Sequence, residues 1–236
     1  MSGTGPKAGG PNYLFTLGTV EPVAPEKGDD LRLEEIGDRA ASVVKKAQTG
    51  LTFDEFSWVR SAALSDEAAW ESEFGSARDV SGLGVERNVF RYRPVPVTVR
   101  LQVGESLAGL ARVVAAAART RSPLVISSAL PIPAALMSAF TGPVAPVIVR
   151  AVAVESDNAF LLRASAGEIT GRVRLLGPGA SSLSAAVKGD PDVAIYSAPV
   201  TTEGRVELLP LLREQAVSIT AHRFGNPDAA MLAVRV

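Results

Sequence analysis

Ser218 and His222 stand four apart in LREQAVSITAHRFG, a spacing that sets both on one face of an extended strand and invites a hydrolase reading. A serine nucleophile needs an imidazole to take its proton and an acid to orient that imidazole. No G-x-S-x-G elbow surrounds Ser218 and no acid is placed to orient His222, so a structural or interface histidine is expected. Gly177-Pro178-Gly179 raises dinucleotide binding, because it follows a strand pattern and precedes a short helix. A full fingerprint has glycine again where Ser182 stands, and the strand end Ile126-Ser127-Ser128-Ala129 has none. A tight turn is the expected role, with no cofactor bound by this chain. Glu67 to Glu73 offer paired carboxylates, for which a solvated helix face is the ordinary reading. Arg91, Arg93 and Arg100, beside Phe90 and Tyr92, read as the edge of a strand, with anion binding as the alternative.

The segment Gly204 to Gly225, GRVELLPLLREQAVSITAHRFG, combines an alternating apolar pattern with directional donors and acceptors. Arg205, Glu207, Arg213, Glu214, Gln215, Ser218, Thr220, His222 and Arg223 are candidate interface residues. Such density suits specific docking better than a solvated edge, where lysines or short strands would blunt pairing. An ordinary edge hairpin is the competing reading.

Composition limits the chemistry further. The 236 residues contain no cysteine and one histidine, which excludes disulfides, thiolate metal sites, a cysteine nucleophile and the usual zinc ligand sets. A net charge of -1 offers nucleic acid no electrostatic footprint. Gly and Pro crowd positions 3 to 11, so no signal peptide is expected. The apolar region Pro123 to Val154 is broken by Pro131, Pro133, Pro143 and Pro146 and charged by Arg150, so it reads as buried structure and not as a membrane span. A soluble, cytoplasmic protein is the expectation.

The elements that would position these residues form three stretches. Residues 1–28 are loop-like. A helical unit at 29–84 starts at Asp29-Asp30, carries Leu33, Ile36, Ala40, Val43, Val44 and Ala47 at helical spacing, and closes at Gly50. A second helix is expected from Thr52, with Phe53, Phe56 and Val59 on one face, and a third capped by Ser65. From residue 85 onward strands and helices alternate, which argues for a Rossmann-like α/β sheet. Val95 to Leu101 reads as a strand that Pro94 and Pro96 confine to an edge or projecting arm. Leu107 to Val114 and Ala134 to Phe140 read as helices, and Leu124–Ser127, Val147–Val154, Arg172–Leu176 and Val193–Tyr196 as strands. Beyond Pro199 a ribbon is expected over about 200–225, followed by a last strand at Met231 to Val236.

Three of these stretches resemble one family. SGTGPKAGGP, Ser2 to Pro11, is similar to the end of the dehydrogenase domain of proline utilization A enzymes. ERNVFRYRP, Glu86 to Pro94, and LREQAVSITAHRFG, Leu212 to Gly225, resemble two signatures of the C-terminal domain of longer members. The resemblance implies a non-catalytic Rossmann-like domain of the aldehyde dehydrogenase superfamily, with a β-flap that covers the dehydrogenase domain of the parent enzyme or a companion chain. It also implies an oligomer. The complete parent enzyme uses FAD to oxidise proline and NAD to oxidise L-glutamate-γ-semialdehyde. The resemblance puts the substrate-anchoring loop just before Ser2 and Gly3, and the NAD-binding and catalytic segments upstream of residue 1. Two alternatives stay open: an independent α/β nucleotide-binding oxidoreductase, or a non-functional gene fragment.

Overall fold

Helix α1, Asp38–Ala47, turns Ala40, Val43, Val44 and Ala47 inward in the computed structural model, which describes residues 6–7, 9–19, 21, 33–141, 148–220, 222–223, 226–227 and 229–236. Asp29 and Asp30 lie outside the described residues. The helix itself begins later than they suggest, because Leu33–Glu35 forms a separate 3-10 turn and the Gly37 N–H is taken by Glu67 Oε2 at 2.8 Å. Helix α2, Phe53–Ala69, opens with a reciprocal cap between Thr52 and Glu55. It runs straight through Ser65 and continues as a π-helical turn, Trp70–Phe74, so the third helix expected at Ser65 is not separate. The Ser65 hydroxyl instead accepts from the Gly204 N–H at 2.9 Å. Phe53 is 82% exposed, outside the inward face that holds Val59.

Strands β1, Arg78–Asp79, and β2, Glu86–Pro94, precede a doubly wound unit. That unit runs β3 Val97–Leu101, α3 Leu107–Thr120, β4 Leu124–Ser128, α4 Ala134–Thr141, β5 Val149–Val154, α5 Asp157–Ser165, β6 Gly171–Leu176, α6 Ala180–Ala186 and β7 Val193–Tyr196. Its five strands are parallel in the order β5-β4-β3-β6-β7, the Rossmann-like arrangement. The expected edge strand at Val95–Leu101 is therefore the central strand. The two prolines mark its boundary: Pro94 ends β2, Pro96 precedes β3, and the intervening Val95 N–H bonds to Leu211 O at 3.1 Å. Val97, Val99 and Leu101 are each no more than 2% exposed. One apolar core joins α1, α2, α3 and α4 to the sheet, so the helical segment and the sheet share an interior. A second cluster under α5 and α6 contains Val173, while Leu176, an odd number of positions along the same strand, belongs to the first.

After β7 come α7 Gly204–Glu207, β8 Leu212–Thr220, β9 His222–Arg223, β10 Asn226–Pro227 and α8 Ala229–Leu232. Val206 belongs to α7 and not to a strand, and the residues around Met231 form α8, so the expected last strand is absent among the described residues. β8 pairs antiparallel with β2, more than a hundred positions upstream, and β1 adds to the other edge of β2. The ribbon is thus closed across the whole domain and not by a local hairpin.

Candidate functional site

The β2–β8 ribbon is paired without interruption from Glu86↔Thr220 to Pro94↔Leu212. Alternation sends Phe90 and Tyr92, with Ala216 and Glu214 opposite them, to one face. That face is tied to the body. Phe74 meets Tyr92 edge-on with centroids 4.7 Å apart, and Phe90 meets Tyr92 at 5.4 Å. The Tyr92 hydroxyl donates to Glu73 Oε1 at 2.8 Å and accepts from Asn12 Nδ2 at 2.8 Å. Asn12 Nδ2 also donates to Glu214 Oε1 at 2.9 Å, and Glu214 Oε2 accepts from the Lys7 N–H. Burial, with the Glu73 carboxylate beside it, pushes the Tyr92 hydroxyl above the usual tyrosine range, so it remains a donor.

Four buried or half-buried arginines fasten the body beneath the ribbon. Arg172 donates to the carbonyls of Leu209, Pro210 and Leu212, fixing the turn that leads into β8. Arg174 forms a two-point ion pair with Glu207, at 2.7 and 3.3 Å, and also reaches the Ala198 carbonyl at 2.7 Å. Arg112 holds Asp66 at 2.6 and 2.7 Å, with both side chains at most 1% exposed, and donates to Thr201 O at 3.0 Å. Arg119 pairs with Glu67 in the same two-point manner and lies 4.7 Å over the Trp70 ring. Burial pushes the Asp66 carboxyl up to about 6, with the attraction of Arg112 opposing. Glu67 is therefore not on a solvated face. Arg100 is also buried at 0% exposure, bound to Ser127, the Glu155 carbonyl and Asp157.

The nine candidate interface residues divide three ways. Glu207 is 3% exposed and belongs to the interior, where Arg174 needs its charge, so it presents nothing outward. Arg205 pairs with Glu73 at 2.7 Å, Glu214 with Asn12 and Lys7, Gln215 with Arg91 Nε at 2.8 Å, and Ser218 donates to Glu86 at 2.7 Å across the ribbon. Arg213, Thr220 and His222 are exposed. Arg223 lies in β9, opposite Asn226, and His222 opposite Pro227. Ser2 and Gly3 lie outside the described residues. Ser218 and His222 therefore sit in different pairings, and the serine hydroxyl donates a hydrogen bond to the Glu86 carboxylate.

Sequence reasoning did not find Asn12, Glu73 or Tyr92 as partners, nor the pairs of Arg112 and Arg174. A readable sign existed for α3: Arg112 and Arg119 are two turns apart within an otherwise apolar helix, which demands buried counter-charges.

β3 and β6 are neighbours whose following helices lead in opposite directions, which makes the crevice beyond their ends the usual ligand position of such sheets. Gly177 and Gly179 line it with φ of +109° and +107°. Two side chains of this chain stand beside them: a Cβ on Gly177 would lie 2.7 Å from Glu105 Cγ, and one on Gly179 2.8 Å from Gln102 Nε2.

Exposed apolar residues are spread over the described surface, and two groups of them flank the ribbon. Val80, Leu83 and Val85, in the loop from β1 to β2 at the far end of the ribbon, are 93%, 50% and 44% exposed. The 3-10 turn Tyr13–Leu17, held against the ribbon by Asn12, exposes Leu14 and Leu17 at 74% and 73%.

The fold and ribbon define a Rossmann-like α/β domain carrying an antiparallel β-flap. Its structure is similar to that of proline utilization A from Corynebacterium freiburgense, with a TM-score of 0.53 and 28% identity over 93% of this chain and 18% of that one. A proline utilization A variant from Bradyrhizobium japonicum is similar at a TM-score of 0.49 and 19% identity, over 66% of this chain and 19% of that one. A betaine aldehyde dehydrogenase variant from Staphylococcus aureus, in complex with NAD+, reaches 0.46 and 14% identity, over 69% and 34% of the two chains. No family model and no curated protein matches the sequence. The chain spans about a fifth of the length of the proline utilization A enzymes it resembles. No helix among the described residues is long and apolar enough to cross a membrane.

Proposed function

We propose that this chain is a non-catalytic covering and assembly module for an NAD-dependent L-glutamate-γ-semialdehyde dehydrogenase of proline catabolism. The observation that carries this reading is the β2–β8 ribbon, locked to the domain along one face and ending in the exposed apolar residues Val80, Leu83 and Val85. An apolar cluster at the tip of a fixed arm suits burial against another protein surface. Leu14 and Leu17 add a second apolar patch beside the ribbon.

The chemistry agrees. Aldehyde oxidation by this family's route uses a thiolate to attack the carbonyl and a bound nicotinamide to take the hydride. The chain has no cysteine, and Gln102 and Glu105 crowd the glycine turn that follows β6. Catalytic groups, NAD and substrate belong to the dehydrogenase partner. The module's part is to seal the partner's cleft from water and to add subunit contacts.

The test is association and rate together. Co-expression with a dehydrogenase portion of proline utilization A should give a complex with faster semialdehyde oxidation than the portion alone. Calorimetry of the isolated chain with NAD and NADP should give no heat of binding; micromolar binding of either would favour an independent oxidoreductase instead.

A further inference from the structure

Arg93 and Arg213 face each other directly across the ribbon, on the side opposite Tyr92 and Glu214. Both are exposed. Side chains so paired have Cβ atoms about 4.5–5.5 Å apart, and like charges in that position repel. The ion pairs made by the described residues engage Arg100, Arg112, Arg119, Arg163, Arg174 and Arg205, and neither Arg93 nor Arg213. Glu214, the nearest carboxylate in sequence, points to the other face and accepts from Asn12 and Lys7.

The surroundings add positive charge. Arg91 is on the same face two positions away, bonded only to the neutral amide of Gln215. Burial holds the Arg172 guanidinium below its ordinary range, with Tyr196 and Glu214 opposing and the nearby charge of Arg213 adding to the effect. The ribbon, held at Tyr92 on its opposite face, keeps the two Cα positions side by side, so both guanidiniums stay within reach of one acceptor.

We infer that Arg93 and Arg213 form a carboxylate clamp for an acidic segment of the dehydrogenase partner. This rests on reading the ribbon as a docking surface and names the chemistry of the surface it meets. Two guanidiniums presented side by side offer parallel N–H donors to a carboxylate, and docking turns their mutual repulsion into attraction. The rigid ribbon holds the donors in place beforehand, and a Glu or Asp on an extended partner segment supplies the acceptor.

The test compares wild type with Arg93→Gln/Arg213→Gln, both exposed positions whose replacement leaves the interior untouched. Affinity for the dehydrogenase portion is measured at low and high salt, and affinity for a hexaglutamate peptide and for inorganic phosphate in parallel. The double variant is expected to bind the dehydrogenase portion at least roughly tenfold more weakly, with a flatter salt dependence. The isolated variant should also melt at a higher temperature than wild type. Equal affinity and equal salt dependence in the two proteins would overturn the clamp while leaving the docking reading intact. If wild type does not bind the dehydrogenase portion, the docking reading fails and the peptide decides the clamp: binding lost in the double variant upholds it, and no binding overturns it. Phosphate bound as tightly as the peptide would overturn it in favour of a small-anion site.

Discussion

Tyr92 shows how much a single side chain decides in this domain. Its ring packs against Phe74 and Phe90, and its hydroxyl links Glu73 of the helical segment with Asn12 of the N-terminal segment. Because the folded state raises its pKa, the hydroxyl's contribution is complete below the unfolded tyrosine value of about 10 and is lost as pH rises further. Tyr92→Phe should lose about 1–3 kcal/mol at neutral pH and show a flatter loss of stability above about pH 10, read by chemical denaturation across pH. An unchanged alkaline limb would remove Tyr92 from that role. Arg112 and Asp66 make a second residue-scale case. Arg112→Ala strands a buried carboxylate and should cost about 3–5 kcal/mol, whereas Asp66→Leu together with Arg112→Met should recover most of it. Equal losses in both variants would show that packing, not charge, dominates there.

Elements were readable where periodicity was strong and local. α3, β4, α4, β6 and β7 fall close to where spacing puts them, because each buries a stripe that its own sequence defines. The failures are non-local. Val95–Leu101 was an edge by its prolines, yet those prolines only terminate the neighbours of a central strand. Ser65 looked like a cap but serves Gly204, and α5 was missed because its buried residues are reduced to Phe160 and Ala164. Nothing near β8 in sequence points to β2 as its partner. α7 approaches α2 so closely that a Cβ on Gly204 would lie 2.4 Å from Ser65 O, against backbone that cannot rotate aside. Gly204→Ala should therefore destabilise by about 1–3 kcal/mol through displacement of α7, seen as a lower denaturation midpoint. A neutral effect would mean that the contact relaxes freely. Of the candidate interface residues, Ser218 and Thr220 follow the alternation of β8 to the exposed side, Arg213 is exposed out of that phase near the start of the strand, and Glu207 is buried because Arg174, distant in sequence, claims its charge.

At the scale of the molecule, the described residues form one packed body with an arm. A shared core joins the helical segment to the sheet, buried arginine–carboxylate pairs fasten α2, α3, β6 and α7 together, and the ribbon projects from that assembly with apolar residues at its tip. The proposed covering role rests on that arm and on its exposed apolar tip. The direct measurement is the rate of NADH formation from L-glutamate-γ-semialdehyde by a dehydrogenase portion titrated with this chain, alongside the Val80→Asp/Leu83→Asp form. The rate should rise and saturate with the wild-type chain and rise far less with the tip variant. A rate unmoved by the wild-type chain at any concentration would contradict the account.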